Sequence, residues 1–145
     1  MTEIYTDGSC RGNRKGAYGI IIVGEDGSEK IVSDILLDTT NNVMELAAMM
    51  LALSHVLANP GEYVIKCDSE YVINGLTKWL PGWKRKGYRT ASGHAVKNKE
   101  IWVELEKLYN PVKDRITIKW VRGHDGNKYN CLIDEHVQGL TKDQG

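Results

Sequence analysis

The chain has 145 residues, with 19 Lys and Arg balanced by 19 Asp and Glu, and three cysteines, Cys10, Cys67 and Cys131. That length suits one domain able to bury most of its unfolded-chain surface without covalent staples. Scattered cysteines without a CxxC or Cys/His cluster exclude a disulfide framework and a zinc site, and free thiols in a reducing cytoplasm are expected. Neither a signal peptide nor an apolar run of the ~20 residues that span a membrane is expected, and zero net charge argues against a non-specific polyanion binder.

Residues 3–6 predict a first strand and residues 17–23, AYGIIIV, a second. Asp26-Gly27 turns the chain into a third, 29–37, to make a hairpin. Residues 39–42 supply N-cap chemistry for an almost wholly apolar helix that runs to Ala58 and stops at Asn59-Pro60-Gly61. Residues 63–67, YVIKC, read as a fourth strand, and 69–79 as a helix that Pro81-Gly82 breaks. A helix resumes near Val96 or Asn98, with Ile101, Leu105 and Leu108 at i, i+4, i+7, and Asn110-Pro111 ends it. Ile116, Ile118 and Trp120 alternate with Thr117, Lys119 and Val121 in a fifth strand. The loop RGHDGN follows, and Ile133, Val137 and Leu140 mark the apolar face of a last helix. This order predicts an α/β domain: a mixed five-stranded sheet, its first three strands antiparallel, flanked by helices. Sites in open sheets of this kind form beyond the carboxyl ends of strands.

Charge is unevenly placed. Between Lys78 and Lys99 stand seven Lys or Arg residues and no Asp or Glu. The chain sums to zero, so the remainder carries seven net negative charges. A basic binding surface and an acidic site elsewhere on the same domain are expected.

Four carboxylates stand out, each with a plain alternative. Asp7, in TDGS, suits an Asp-Gly turn. Asp68, at a strand-to-helix junction, suits an N-cap. Glu45 could close a capping box over Asn42, and Asp134 could be solvated helix surface. Their conjunction argues otherwise: two acids end strands, one opens an apolar helix and one lies in the helix after strand five. Four carboxylates at one edge cannot all stay ionised without cations. Hard oxygen ligands indicate Mg²⁺ or Mn²⁺, and a carboxylate cluster bridging two such ions suits phosphodiester chemistry.

At TDGSCRGN (6–13), TTNNVMELAA (39–48), CDSEYVINGL (67–76), WLPGWKRKGYRT (79–90), VKNKEIW (96–102) and VRGHDGNKYNCLID (121–134), the sequence resembles type 1 ribonuclease H of the bacterial kind, over nearly the whole chain. The resemblance implies a single catalytic domain, residues 1–145, with a basic handle at about 80–97. It implies an endoribonuclease that cuts the RNA strand of RNA–DNA hybrids and leaves 5′-phosphate and 3′-hydroxyl ends. Metal-ligand roles fall on Asp7, Glu45, Asp68 and Asp134, with two Mg²⁺ ions per site when substrate is bound and Mn²⁺ as a substitute. His124 is implied in proton transfer or release of the cleaved phosphate; its plain alternative is an exposed loop residue. Cys10, Asn13, Asn41 and Asn42 would line the RNA side, where 2′-hydroxyls distinguish RNA from DNA. Thr40 and Asn98 resemble the pair that holds a DNA phosphate, and both also suit helix caps. Lys84, Arg85, Lys86 and Arg89 would meet phosphates, Trp79 and Trp102 would pack on deoxyribose, and Trp83 belongs to the core. A monomer without an obligate protein partner or membrane contact is expected.

Three departures from the family pattern stand out. The loop after Asp7, CRGNRKGAYG, lacks the usual Gly/Pro-rich stretch, and Arg14 and Lys15 there either add phosphate contacts or only reshape the loop. Glu70 replaces a common Gln, and Asp125 follows His124, where a carboxylate would raise the histidine pKa. Three other functions suit the sequence less well. A silent hybrid-binding module would lack one of the carboxylates, and all four are present. A resolvase- or transposase-like core lacks reason for the basic insertion and TTNN. A carboxylate-pair glycosidase leaves the insertion unexplained.

Overall fold

The computed structural model describes residues 1–12, 14–90, 92–122 and 127–141. Five strands, β1 (Thr2–Cys10), β2 (Gly16–Val23), β3 (Glu29–Leu36), β4 (Tyr63–Cys67) and β5 (Ile116–Trp120), form one sheet in the order β3-β2-β1-β4-β5. β1, β2 and β3 pair antiparallel, whereas β1, β4 and β5 run parallel. The helices are α1 (Asn41–Ala58), α2 (Glu70–Asn74), α3 (Leu80–Arg85), α4 (Lys99–Tyr109) and α5 (Lys128–Thr141). The mixed sheet expected from the order of elements is the one observed.

Alternation along the strands splits the core in two. Ile4, Ile20 and Ile65 face one side, where they meet Leu46, Met49 and Leu53 of α1 and Leu105 of α4. Tyr5, Ala17 and Ile21 face the other side and pack on Ile133 and Val137 of α5. By length and composition α1 could cross a membrane, contrary to the sequence expectation of no such run. Here it is the core helix, with Met44, Leu46, Ala48, Met49, Ala52, Leu53 and Val56 buried. Thr40 caps it, Oγ1 accepting from Val43 N–H at 3.2 Å. Its other end is closed by Arg115, whose guanidinium donates to the carbonyls of Val56, Asn59 and Gly61 at 2.8, 3.2 and 2.9 Å. A cation there also complements the helix dipole.

Two elements differ from the sequence expectation. β1 does not end at Thr6. It continues through Asp7-Gly8 to Cys10, paired with β2 as Asp7↔Gly19 and Gly8↔Tyr18. The turn-prone pair is held extended because β2 offers a partner for every residue. Second, Pro81-Gly82 does not break the helix after β4. Residues Gly75–Trp79 form a π turn, with Leu80 N–H bonded back to Gly75 O, and Pro81 sits in the first turn of α3. Proline is tolerated there because no donor is required of it.

Candidate active site

The two central strands deliver the first pair of acids. Thr6 stands opposite Cys67 in the parallel β1–β4 pair, so Asp7, still within β1, and Asp68, just beyond the end of β4, come side by side. The third acid arrives through Gly8. A Cβ on Gly8 would lie 2.3 Å from the Met44 carbonyl carbon and 2.6 Å from Glu45 N, so only glycine lets β1 and the start of α1 touch. That contact seats Glu45 beside Asp7, with its carboxylate accepting from Gly8 N–H. The ligand oxygens of Asp7, Glu45 and Asp68 all lie within 4.8 Å of one another. Asp134, from α5 on the opposite face, shares a side-chain hydrogen bond with Asp7.

The plain alternatives fall away at three positions. Asp7 is in a strand rather than a turn. Ser69, not Asp68, caps α2, its Oγ accepting from Val72 N–H at 3.3 Å. The N-cap of α1 is Thr40, so Glu45 lies beyond capping-box reach of Asn42.

The cluster is strained electrostatically. Burial, then the charges of Glu45 and Asp68, raise the Asp7 carboxyl to about 9. Burial and Asp68 raise Glu45 to about 8. Among the described residues, Asp7 Oδ2 and Glu45 Oε2 are buried without a hydrogen-bond partner. Buried carboxylates are stable only when paired, protonated or bound to metal. An all-oxygen set with two orphaned oxygens fits a hard divalent cation of the Mg²⁺ or Mn²⁺ type. His124 and Asp125 lie outside the described residues, as does Asn13.

Around this cluster the expected substrate residues have varied placements. Cys10 and Asn41 tie β1 to the start of α1, Cys10 N–H donating to Asn41 Oδ1 at 2.6 Å. Thr40, Asn41 and Asn42 are exposed beside them. Arg14 is drawn to Asp38 at 2.7 Å and braces its own loop. Asn98 stands at the N-cap of α4 in a left-handed conformation (φ 60), but its side chain makes no capping bond and instead donates Nδ2 to Tyr71 Oη at 3.3 Å.

Trp79 is exposed, with Trp83 beneath it at 5.7 Å between ring centroids, and Trp102 lies 5.2 Å from Trp83. Trp102 itself is fully buried, Nε1–H donating to Tyr71 Oη at 3.1 Å. The expectation that Trp102 packs on a sugar is therefore corrected: it supports the Trp79–Trp83 surface from below. Gly75 makes this possible, because a Cβ there would stand 2.0 Å from the indole.

In the handle, Arg85, Lys86 and Arg89 are exposed, whereas Lys84 is paired with Glu106 of α4 at 2.9 Å. Residues 88–90 and 94–96 lie against each other, with Arg89 bridged to Ala95, Thr90 N–H bonded to His94 O at 2.7 Å and Val96 N–H bonded to Tyr88 O at 2.9 Å.

Three residues of evident importance escaped the sequence reading: Gly8, Tyr71 and Trp120. Gly8 was hidden by its turn-like neighbour, and Tyr71 by the lack of any local signal for its two distant partners. Trp120 was legible in principle, since it ends β5 and stands opposite Cys67, next to the strand that delivers Asp68.

Carboxylates delivered by two central strands and two helices, beside a basic aromatic surface, define a class of metal-dependent enzymes acting on nucleic-acid phosphodiesters. The RNase H family model matches residues 1–141. Ribonuclease H of Anaplasma marginale is 45% identical over 137 residues, which is 94% of this chain and 87% of that protein. Ribonuclease H of Actinobacillus pleuropneumoniae is 43% identical over 136 residues, 93% of this chain and 86% of that protein. Among solved structures, LC9-RNase H1, a type 1 RNase H with the type 2 active-site motif, matches with a TM-score of 0.78 and 26% identity, over 99% of this chain and 77% of its own. The chain belongs to the RNase H family.

Proposed function

We propose that this chain is a ribonuclease H that cleaves the RNA strand of RNA–DNA hybrids internally, with 5′-phosphate and 3′-hydroxyl products. The observation that carries the reading is the convergence of Asp7, Glu45 and Asp68, with two buried oxygens left over, in a chain 45% identical to a ribonuclease H. Asp7, Glu45, Asp68 and Asp134 would hold two Mg²⁺ ions in the presence of substrate, with Mn²⁺ able to replace them. Bound there, divalent ions supply positive charge for both the attacking and the leaving oxygen of the displacement. The protein's own part is to present these oxygens without reorganisation and to place the RNA strand over them. Cys10, Asn13, Asn41 and Asn42 face the RNA, Thr40 and Asn98 a DNA phosphate, Trp79 a deoxyribose, and the handle the DNA backbone. His124 moves a proton or helps the cleaved phosphate leave. The 145 residues act as one monomeric catalytic domain, and the three free cysteines accord with a cytoplasmic setting.

The test is cleavage of a labelled RNA strand paired with DNA, paired with RNA, and single, with Mg²⁺, Mn²⁺ or chelator, beside Asp7→Asn. Cutting confined to the hybrid, and lost with chelator and in the variant, is expected. Hybrid bound in a gel shift but uncut in every lane would make the chain a binding module instead.

A further inference from the structure

From the carboxylate cluster onward, α5 follows β1 in the same direction, and three pairs of polar residues join them in order. Asp7 shares a side-chain hydrogen bond with Asp134. Gln138 Nε2–H donates to Ser9 Oγ at 3.0 Å. Arg11, just past the end of β1, donates Nε–H to Thr141 Oγ1 at 2.8 Å and Nη2–H to the carbonyl of Gln138 at 3.3 Å. The two spacings match. Residues 7, 9 and 11 share one face of an extended chain, where each step of two covers roughly 6.6 Å. Residues 134, 138 and 141 stand at i, i+4, i+7 on one stripe of a helix, where the first step covers about 6 Å. Thr141 is fully buried, and its hydroxyl both accepts from Arg11 and donates to Gln138 O at 3.1 Å.

Ile133 and Val137 hold α5 against Tyr5, Ala17 and Ile21. Apolar contact of this kind is non-directional, so it leaves rotation and sliding of the helix weakly fixed. The Asp7–Asp134 pair cannot fix them, because two carboxylates carry like charge. The directional bonds of Ser9 and Arg11 can. Gln138 stands one turn from Asp134, so a rotation that breaks these bonds also carries the Asp134 carboxylate away from Asp7. Arg11 acts from a stiff base: its N–H donates to Lys15 O at 3.0 Å, its carbonyl accepts from Arg14 N–H at 2.8 Å, and Arg14 is tied to Asp38. A guanidinium suits the task, since its planar fork reaches two acceptors at once and its charge complements the last turn of a helix. Building on the metal-holding role proposed above for Asp134, we propose that Arg11 is a positioning residue. Through Thr141 and Gln138 it sets α5 so that Asp134 reaches a cation held by Asp7, Glu45 and Asp68.

The test reads metal binding apart from catalysis. Mn²⁺ affinity of the protein without nucleic acid is measured by calorimetry for wild type, Arg11→Ala, Arg11→Lys, Thr141→Val, Thr141→Ser, Asp134→Asn and the Arg11→Ala, Asp134→Asn double variant, with urea unfolding of each beside it. Arg11→Ala and Thr141→Val should weaken Mn²⁺ binding about 3–10-fold, the size of one net hydrogen bond. They should raise the Mg²⁺ concentration for half-maximal hybrid cleavage by a similar factor. Arg11→Lys and Thr141→Ser, which keep a donor and a hydroxyl, should recover most of that loss. In the Asp134→Asn background Arg11→Ala should cost nothing further. Hybrid affinity in chelator should stay within about twofold of wild type, because the guanidinium is spent on α5. A lower urea midpoint with Mn²⁺ affinity and Mg²⁺ requirement both unchanged would overturn the proposal and leave Arg11 a helix cap. So would a loss as large without Asp134 as with it, or one confined to hybrid binding. A wild type that binds Mn²⁺ with this coupling yet cuts no hybrid would support the positioning role and overturn the proposed activity instead.

Discussion

Asp7 illustrates how a residue can be suited to holding a metal and destabilising at once. Its carboxyl is held at about 9, first by burial and then by Glu45 and Asp68, against about 4 in an unfolded chain. Between those values the metal-free fold keeps a proton that the unfolded chain has lost. Unfolding then releases a proton, and stability falls as pH rises from about 4 towards 9. Asp7→Asn removes this burden. The variant should be inactive, yet at pH 8 without metal it should exceed wild type by about 2 kcal/mol, a conservative fraction of the ~1.4 kcal/mol per pH unit that linkage allows. Thermal unfolding between pH 5 and 9, with and without Mg²⁺, checks the sign: Mg²⁺ should raise the wild-type Tm more than the variant's. A variant less stable than wild type at pH 8 would mean the cluster is not under strain. Gly8 is the complementary case. Gly8→Ala must push β1 from the first turn of α1, moving Glu45 away from Asp7. A shift near 1 Å costs about 10²-fold in rate, and overpacking costs about 1–3 kcal/mol. A kcat within threefold of wild type would show that Glu45 tolerates the shift. The charge of Glu45 was legible from its place on an apolar helix. What lets it reach Asp7 was not, because a close approach of two backbones leaves no mark beyond one glycine in a turn-like dipeptide.

At the scale of elements, the segment from α2 to α3 shows where local signals mislead. Proline after a helical stretch normally marks its end, yet the π turn of Gly75–Trp79 joins α2 to α3 and swings Trp79 outward while Leu76 and Leu80 stay buried. A π turn has no clear signature in side-chain periodicity, so it could not be foreseen. The strands and α1 were legible because each has a strong pattern and a cap. Trp102 was misassigned for a related reason: composition tells that an aromatic lies near a basic stretch but not how deep it sits. Its depth rests on Gly75. Gly75→Ala would place a Cβ 2.0 Å from the indole. It should destabilise the fold by about 1–3 kcal/mol and tilt Trp83 and Trp79 with it. Urea unfolding measures the first effect, and weakened hybrid binding by a variant still folded at the assay temperature measures the second. An alanine variant as stable as wild type would mean that the aromatic stack repacks freely.

Over the whole molecule, zero net charge conceals a dipolar design. The segment 78–99 carries seven cationic side chains, whereas the four site carboxylates gather across the sheet's central strands and two helices. Sequence alone revealed this asymmetry, since it needs only counting. It could not reveal that one of the seven is already paired: Lys84 donates to Glu106 at 2.9 Å, although no acid stands within the basic stretch itself. The distinction predicts unequal roles. Each phosphate contact adds close to one unit of slope to the dependence of log binding constant on log salt. Lys86→Ala and Arg89→Ala should each flatten that slope by about 1 for an uncleavable hybrid, so that variant and wild-type affinities converge as salt rises. Lys84→Ala should flatten it by clearly less, because its charge is partly spent on Glu106. Glu106→Gln should steepen it by freeing Lys84 for the nucleic acid. Fluorescence anisotropy titrations across a range of KCl concentrations give all four slopes. A Lys84→Ala effect equal to that of Lys86→Ala would mean the Lys84–Glu106 pair opens whenever a duplex arrives, and the handle would then bind with every cation it carries.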